Sequence, residues 1–145
     1  MRDDRGTAVP SVLLERFREF EEQLGTLLAS PTISFDDRCR AALPEAHGIY
    51  RIFDPLLPEE TVRAGRTKTA AGGLRQRVYQ NHLMGSQTGN LRAQLVRGGI
   101  CPDMEAAKTH MRRRLVVQVL VVHDDQKRAS LEHMILAVLQ PTYCD

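Results

Sequence analysis

Apolar residues recur at steps of four and three through Leu13, Phe17, Phe20, Leu24 and Leu27. That spacing draws one apolar stripe along a helix of residues 11 to 30. Pro10-Ser11 suits its start and Ser30-Pro31 its end. The stripe has two uses, packing on the domain's own core or a helix–helix seam in a homodimer. It runs for fewer than three heptads, which favours the core.

Residues 31 to 46, with Pro31, Asp36-Asp37 and Pro44, read as irregular. The period then shortens. Gly48-Ile49-Tyr50-Arg51-Ile52-Phe53 is β-branched and aromatic and stops at Asp54-Pro55, as a short strand with a turn behind it does. Residues 60 to 67 read as its hairpin partner. Gly72-Gly73 leads into a basic helix of residues 73 to 83 carrying Leu74, Val78 and Leu83. A polar loop, 85 to 90, precedes a short helix with Leu91, Leu95 and Val96, which ends at Gly98-Gly99. Cys101-Pro102-Asp103 caps a further helix with Met104, Ala107 and Met111 on one side. Residues 115 to 122 (Leu-Val-Val-Gln-Val-Leu-Val-Val) are almost continuously apolar, the mark of a strand covered on both faces. Asp124-Asp125 opens the last helix, with Leu131, Met134, Ile135, Val138 and Leu139 directed inward, and Gln140-Pro141 closes it.

At 145 residues, 42% hydrophobic and 26% charged, the chain suits one soluble globular domain. No apolar run approaches the roughly 20 residues of a membrane helix. Met1-Arg2-Asp3-Asp4-Arg5 has no apolar stretch behind it, so no signal peptide is expected. Cys39, Cys101 and Cys144 are odd in number and widely spaced, which fits a reducing cytoplasm; no pair has zinc-finger spacing, so no structural zinc is expected.

Charge changes the picture. The net charge is only +2, but residues 61 to 102 hold no acid and seven bases: Arg63, Arg66, Lys68, Arg75, Arg77, Arg92 and Arg97. Such a block is the footprint of a phosphate-backbone partner, and DNA binding is assigned to Arg63, Arg66, Lys68, Arg75, Arg92 and Arg97. A solvated basic face is the plainer reading.

Four pieces then stand in order: Gly48-Ile49-Tyr50; Gly65-Arg66-Thr67; Leu74-x-x-Arg77; and Glu132 with Pro141-Thr142-Tyr143 behind it. Together they resemble the GIY-YIG nuclease superfamily, which includes homing endonucleases, the incising subunit of bacterial excision repair and some restriction enzymes. The resemblance starts near residue 46 and runs to the end of the chain. It implies an α+β fold, a small antiparallel sheet of three strands flanked by helices. It also divides the chain into an N-terminal helical extension, 1 to 44, and a nuclease-like domain, 45 to 145. The implied activity is cleavage of DNA phosphodiesters with one divalent cation, Mg2+ or Mn2+. Two positions depart from the family pattern. Arg63-Ala64-Gly65 stands for Tyr-Ile-Gly, and Cys144 stands where an Asn is often found.

The residue types suit that chemistry, which needs an activated water, positive charge on the phosphate oxygens and help for the leaving group. Glu132 is the expected metal ligand, a hard carboxylate of the kind magnesium takes. The plain alternative is an ion pair with Arg128 one turn earlier. Arg77 is expected to fork to the phosphate. Tyr50 is expected to help deprotonate the water, although a tyrosine of pKa about 10 needs a nearby positive charge to do so. His82 is a candidate general base. Members of the family often place a His or Tyr four residues after the arginine, where Asn81 sits here. Tyr50, Arg77 and Glu132 are expected to converge on one concave surface, with Arg63 pointing into it. The alternative is a DNA-binding module of the same fold with catalysis weakened or lost. A third reading makes the chain a protein-interaction module acting through the helix of residues 11 to 30.

Overall fold

The computed structural model describes residues 9 to 144. Helix α1 spans Ser11–Ala29, strand β1 Ile33–Ser34, and helix α2 Cys39–Ala42. Strands β2 and β3 follow at Gly48–Phe53 and Arg63–Arg66. A π-helix runs from Arg75 to Leu83, then α3 over Leu91–Arg97 and α4 over Met104–Arg114. Strand β4, Val116–Val121, and helix α5, Asp125–Leu139, complete the chain.

The sheet is antiparallel with order β1-β4-β2-β3. It has four strands where three were expected. The addition is β1, in which Ile33 and Ser34 face Val117 and Val116. Two residues are too few for any period to show in a sequence. The apolar run of residues 115 to 122 lies inside the sheet as expected, between β1 and β2. Its one polar member, Gln118, is buried and satisfied. Its amide donates to the carbonyls of Leu28 and Ser30, which closes the open end of α1.

Strand alternation sorts the two faces. Tyr50, Ile52, Val117 and the residues opposite them, Gly65 and Arg63, face the π-helix, α3 and α4. Ile49 and Ala64 face α1 and α5, over Phe20, Leu27, Leu131 and Ile135. Phe35, Cys39 and Leu43, from the expected N-terminal extension, are fully buried in the first of these clusters. Residues 33 to 43 thus share a core with the sheet.

The α1 stripe divides. Phe20 and Leu27 are buried, whereas Leu13 and Phe17 are 49% and 59% exposed. In α5, Leu131 and Ile135 turn inward, but Val138 is 56% exposed, so the expected inward set is wider than the real one. Gln140 takes the left-handed conformation at φ 45° and ends the helix. The chain then runs beside β3, where Thr142 and Tyr143 donate to the carbonyls of Thr61 and Val62.

No helix among the described residues is long and apolar enough to cross a membrane. The three cysteines are free. Burial, with Asp36 nearby, pushes the Cys39 thiol up to about 11, so it serves as a core residue.

Candidate nucleic-acid cleft

The cleft begins at the hairpin. Thr67 closes it, since its hydroxyl accepts from the Gly48 N–H and its own N–H donates to the Gly48 carbonyl. In the register of β2 and β3, Tyr50 stands opposite Gly65. A Cβ on Gly65 would lie 2.8 Å from the Tyr50 hydroxyl and 3.1 Å from its ring. The glycine is therefore the space in which the phenol lies. Gly65→Ala should destabilise the fold by about 1 to 3 kcal/mol, the usual cost of overpacking. A urea titration checks this; an unchanged midpoint would mean that the ring has room to move.

The π-helix supplies the next wall. Gly73, at φ 52°, brings its start against residues 44 to 46, where Leu74 and Arg75 donate to the carbonyls of Ala46 and Pro44. A Cβ at Gly73 would lie 2.3 Å from the Ala46 carbonyl oxygen, so no larger residue fits. In a π-helix, residues five apart are one turn apart. That geometry sets His82 one turn after Arg77, and Asn81 one turn after Gln76. The sequence carried a signal for this in the five-residue step from Val78 to Leu83, both buried, and an α-helical reading passed over it.

His82 is fully buried with both ring nitrogens engaged. The Leu91 N–H donates to Nδ1 at 3.0 Å, so in the neutral ring the proton sits on Nε2. Nε2 then donates to the Tyr50 hydroxyl oxygen at 2.8 Å. Burial, and then the charges of Arg63 and Arg77, hold its pKa well below the ordinary 6.5. The general-base role expected of His82 is therefore corrected. Its acceptor nitrogen is taken by backbone, and what it does is hold the Tyr50 phenol.

A cleft of about 360 Å³ is lined by Arg66, Thr67, Lys68, Gln76, Arg77 and Asn81, among others. Arg66, Lys68 and Arg77 thus meet on one concave surface. Tyr50 is fully buried, and neither it nor His82 is among the residues that line the cleft.

Glu132 reaches the cleft through Arg66. It does not face Tyr50 or Arg77 directly, as had been expected. One carboxylate oxygen accepts from the Arg66 N–H at 2.9 Å and the other from the Arg66 Nε at 3.0 Å. The glutamate side chain is 14% exposed. Arg128, the alternative partner, turns away to the carbonyls of Thr67, Lys68, Val122 and His123 and to Asp125. It fixes the strand-to-loop segment that lines the cleft, a role invisible in a sequence with 20 basic residues.

Tyr50 and Glu132 approach the Gly65–Arg66 peptide from opposite faces of the edge strand β3. The bond lengths between the two contacts hold the phenol oxygen and the carboxylate within about 10 Å of each other.

The other basic residues divide by burial. Arg63 is fully buried and donates to the Gly89 carbonyl and to Gln94, whose amide donates to the Cys144 carbonyl. It therefore points under α3, and neither the cleft nor a DNA backbone is where it goes. Arg92 is 8% exposed and clamps the carbonyls of Met84 and Met104. Arg75 is spent on the Leu43 carbonyl and Glu45. These three leave the set expected to bind DNA, because guanidinium forks hold protein carbonyls by the same hydrogen bonds as phosphates. Arg97 stays exposed, with one bond to the Thr88 carbonyl.

Among the described residues, no group of three or more His, Cys, Asp or Glu could hold a metal. The single carboxylate of Glu132 is still compatible with magnesium, which takes one or two carboxylates and completes its shell with water and substrate phosphate. A carboxylate has about four acceptor sites, and Arg66 uses two.

Compared with family models, curated proteins and solved structures, the chain matches none.

Proposed function

We propose that the protein is a GIY-YIG-like endonuclease that hydrolyses DNA phosphodiester bonds with a divalent cation. The observation that supports this reading most is the gathering of distant residues at one place. Residues 50 and 82 hydrogen-bond to each other, 66, 68 and 77 line the cleft, and 132 holds 66. Nothing in the packing of a small sheet requires a tyrosine, three cations and a glutamate there.

In this reading Arg66, Lys68 and Arg77 bind the phosphate oxygens and stabilise the charge that builds on them. Glu132 holds the cation, whose contribution when bound is Lewis-acid polarisation of the phosphate and of water. His82 fixes the phenol of Tyr50 by donating to its oxygen. Tyr50 would act as a base only as the phenolate: its own proton must first leave to solvent, and the phenolate, still held by the His82 N–H and favoured by the cations of the cleft, then takes the proton of the attacking water. The phenol is fully buried and does not line the cleft, so this role requires it to become accessible when DNA binds.

A second reading, a DNA-binding module without cleavage, is favoured by Arg63, which stands where the family has its second tyrosine and is committed to Gln94. Supercoiled plasmid incubated with and without magnesium decides between them. Magnesium-dependent nicking is the expected result. Binding that falls with salt but no nicking leaves the second reading. Neither binding nor nicking at low salt sinks both.

A further inference from the structure

We propose that Arg66 makes cation binding at Glu132 depend on a phosphate already in the cleft. This rests on the nuclease reading above and adds an order of binding to it.

Arg66 holds Glu132 by two bonds of different kinds. The backbone N–H fixes one carboxylate oxygen, and this bond survives any substitution at 66 except proline. The side-chain Nε holds the other oxygen and places a full positive charge beside it. A dication approaching this carboxylate meets that charge, and behind it Lys68 and Arg77 in the same cleft. The site is partly shielded from solvent, with Arg66 and Glu132 side chains 25% and 14% exposed, so like-charge repulsion is screened less than at an open surface.

Arg66 has a second edge. Its Nη atoms carry none of the described hydrogen bonds, and the residue lines the cleft. That edge fits a phosphodiester, which accepts a guanidinium fork. A phosphate bound there adds negative charge beside Arg66, Lys68 and Arg77, which line the cleft together. It also draws the guanidinium away from the carboxylate, whose freed oxygen then faces the phosphate. The cation thus has a site only once the phosphodiester is in place. In the substrate-free protein, Glu132 and Arg66 satisfy each other.

The test is Mn2+ binding to the full chain, read from the electron-spin resonance of free Mn2+, alone and with a thymidine dinucleotide that carries one phosphodiester. Arg66→Gln and Arg66→Met remove the charge, and the second keeps the aliphatic stem. Melting curves establish which of them is folded. The expected result is weak Mn2+ binding by the unaltered protein. Either charge-removing variant should bind one Mn2+ at least about tenfold more tightly. The dinucleotide should raise the affinity of the unaltered protein toward that of the variants, and Glu132→Gln should abolish every gain. If the unaltered protein binds Mn2+ as tightly as the variants without dinucleotide, the gating by Arg66 is wrong while the nuclease reading stands. If no form binds Mn2+ with or without dinucleotide, the metal-dependent reading falls with it.

Discussion

Arg77→Ala should lower magnesium-dependent plasmid nicking by about 10² to 10³-fold, the loss typical when one donor to a developing oxyanion is removed. Arg77 lines the cleft with Arg66 and Lys68, where a phosphodiester would be bound. DNA binding should weaken as well, because a cation that meets phosphate in the transition state also meets it in the ground state. The salt dependence of the remaining affinity should become shallower by about one phosphate contact. Arg75→Ala is the comparison that makes this specific. Arg75 lies two residues earlier on the same π-helix, but its guanidinium is held by the Leu43 carbonyl and Glu45. Nicking per folded molecule should survive that change. If Arg77→Ala nicks like the unaltered protein, or the Arg75 variant loses as much, the cleft has been placed wrongly.

His82→Ala should destabilise the protein by about 3 to 5 kcal/mol, from the cavity left in the core and the buried Leu91 N–H that loses its acceptor. The same residue sets a pH dependence. The folded-state pKa is depressed, so below about 6.5 the unfolded chain binds a proton that the folded chain does not. Stability must then rise with pH through this window and fall as the solution is acidified, by up to about 1.4 kcal/mol per pH unit until the folded pKa is reached. His82→Gln keeps a hydrogen-bonding side chain and removes the titration. Its urea midpoint should change less between pH 7 and pH 5 than that of the unaltered protein. Equal pH slopes in the two proteins would show that His82 is not the buried neutral group described.

Arg77 and His82 also show where the π-helix matters. They are five residues apart, and an α-helix would carry the imidazole about 140° past one full turn, off the Tyr50 hydroxyl. One extra residue per turn restores the contact. Such a turn is costly on its own, since its hydrogen-bond geometry is poor, and it persists here because the packing of Val78, His82 and Leu83 holds it.

Much of the fold could be read along the chain. The stripe of α1, the strand at Gly48–Phe53, the apolar run that became β4 and the length of α5 follow from hydrophobic period, which is a property of neighbours in sequence. The acid-free block could be counted along the chain as well, whereas the succession of Tyr50, Arg77 and Glu132 came only as what a family resemblance implies. Partnership could not. Seven bases in residues 61 to 102 look alike as letters, yet Arg63 and Arg92 are buried on carbonyls while Arg66 and Lys68 line the cleft. Glu132 pairs with Arg66, across from another element, and the arginine four residues before it goes elsewhere. The physical reason is range. Period and propensity act over a turn of helix or a pair of strands, whereas a guanidinium or a carboxylate is satisfied by whatever acceptor or donor the packed chain brings within about 3 Å.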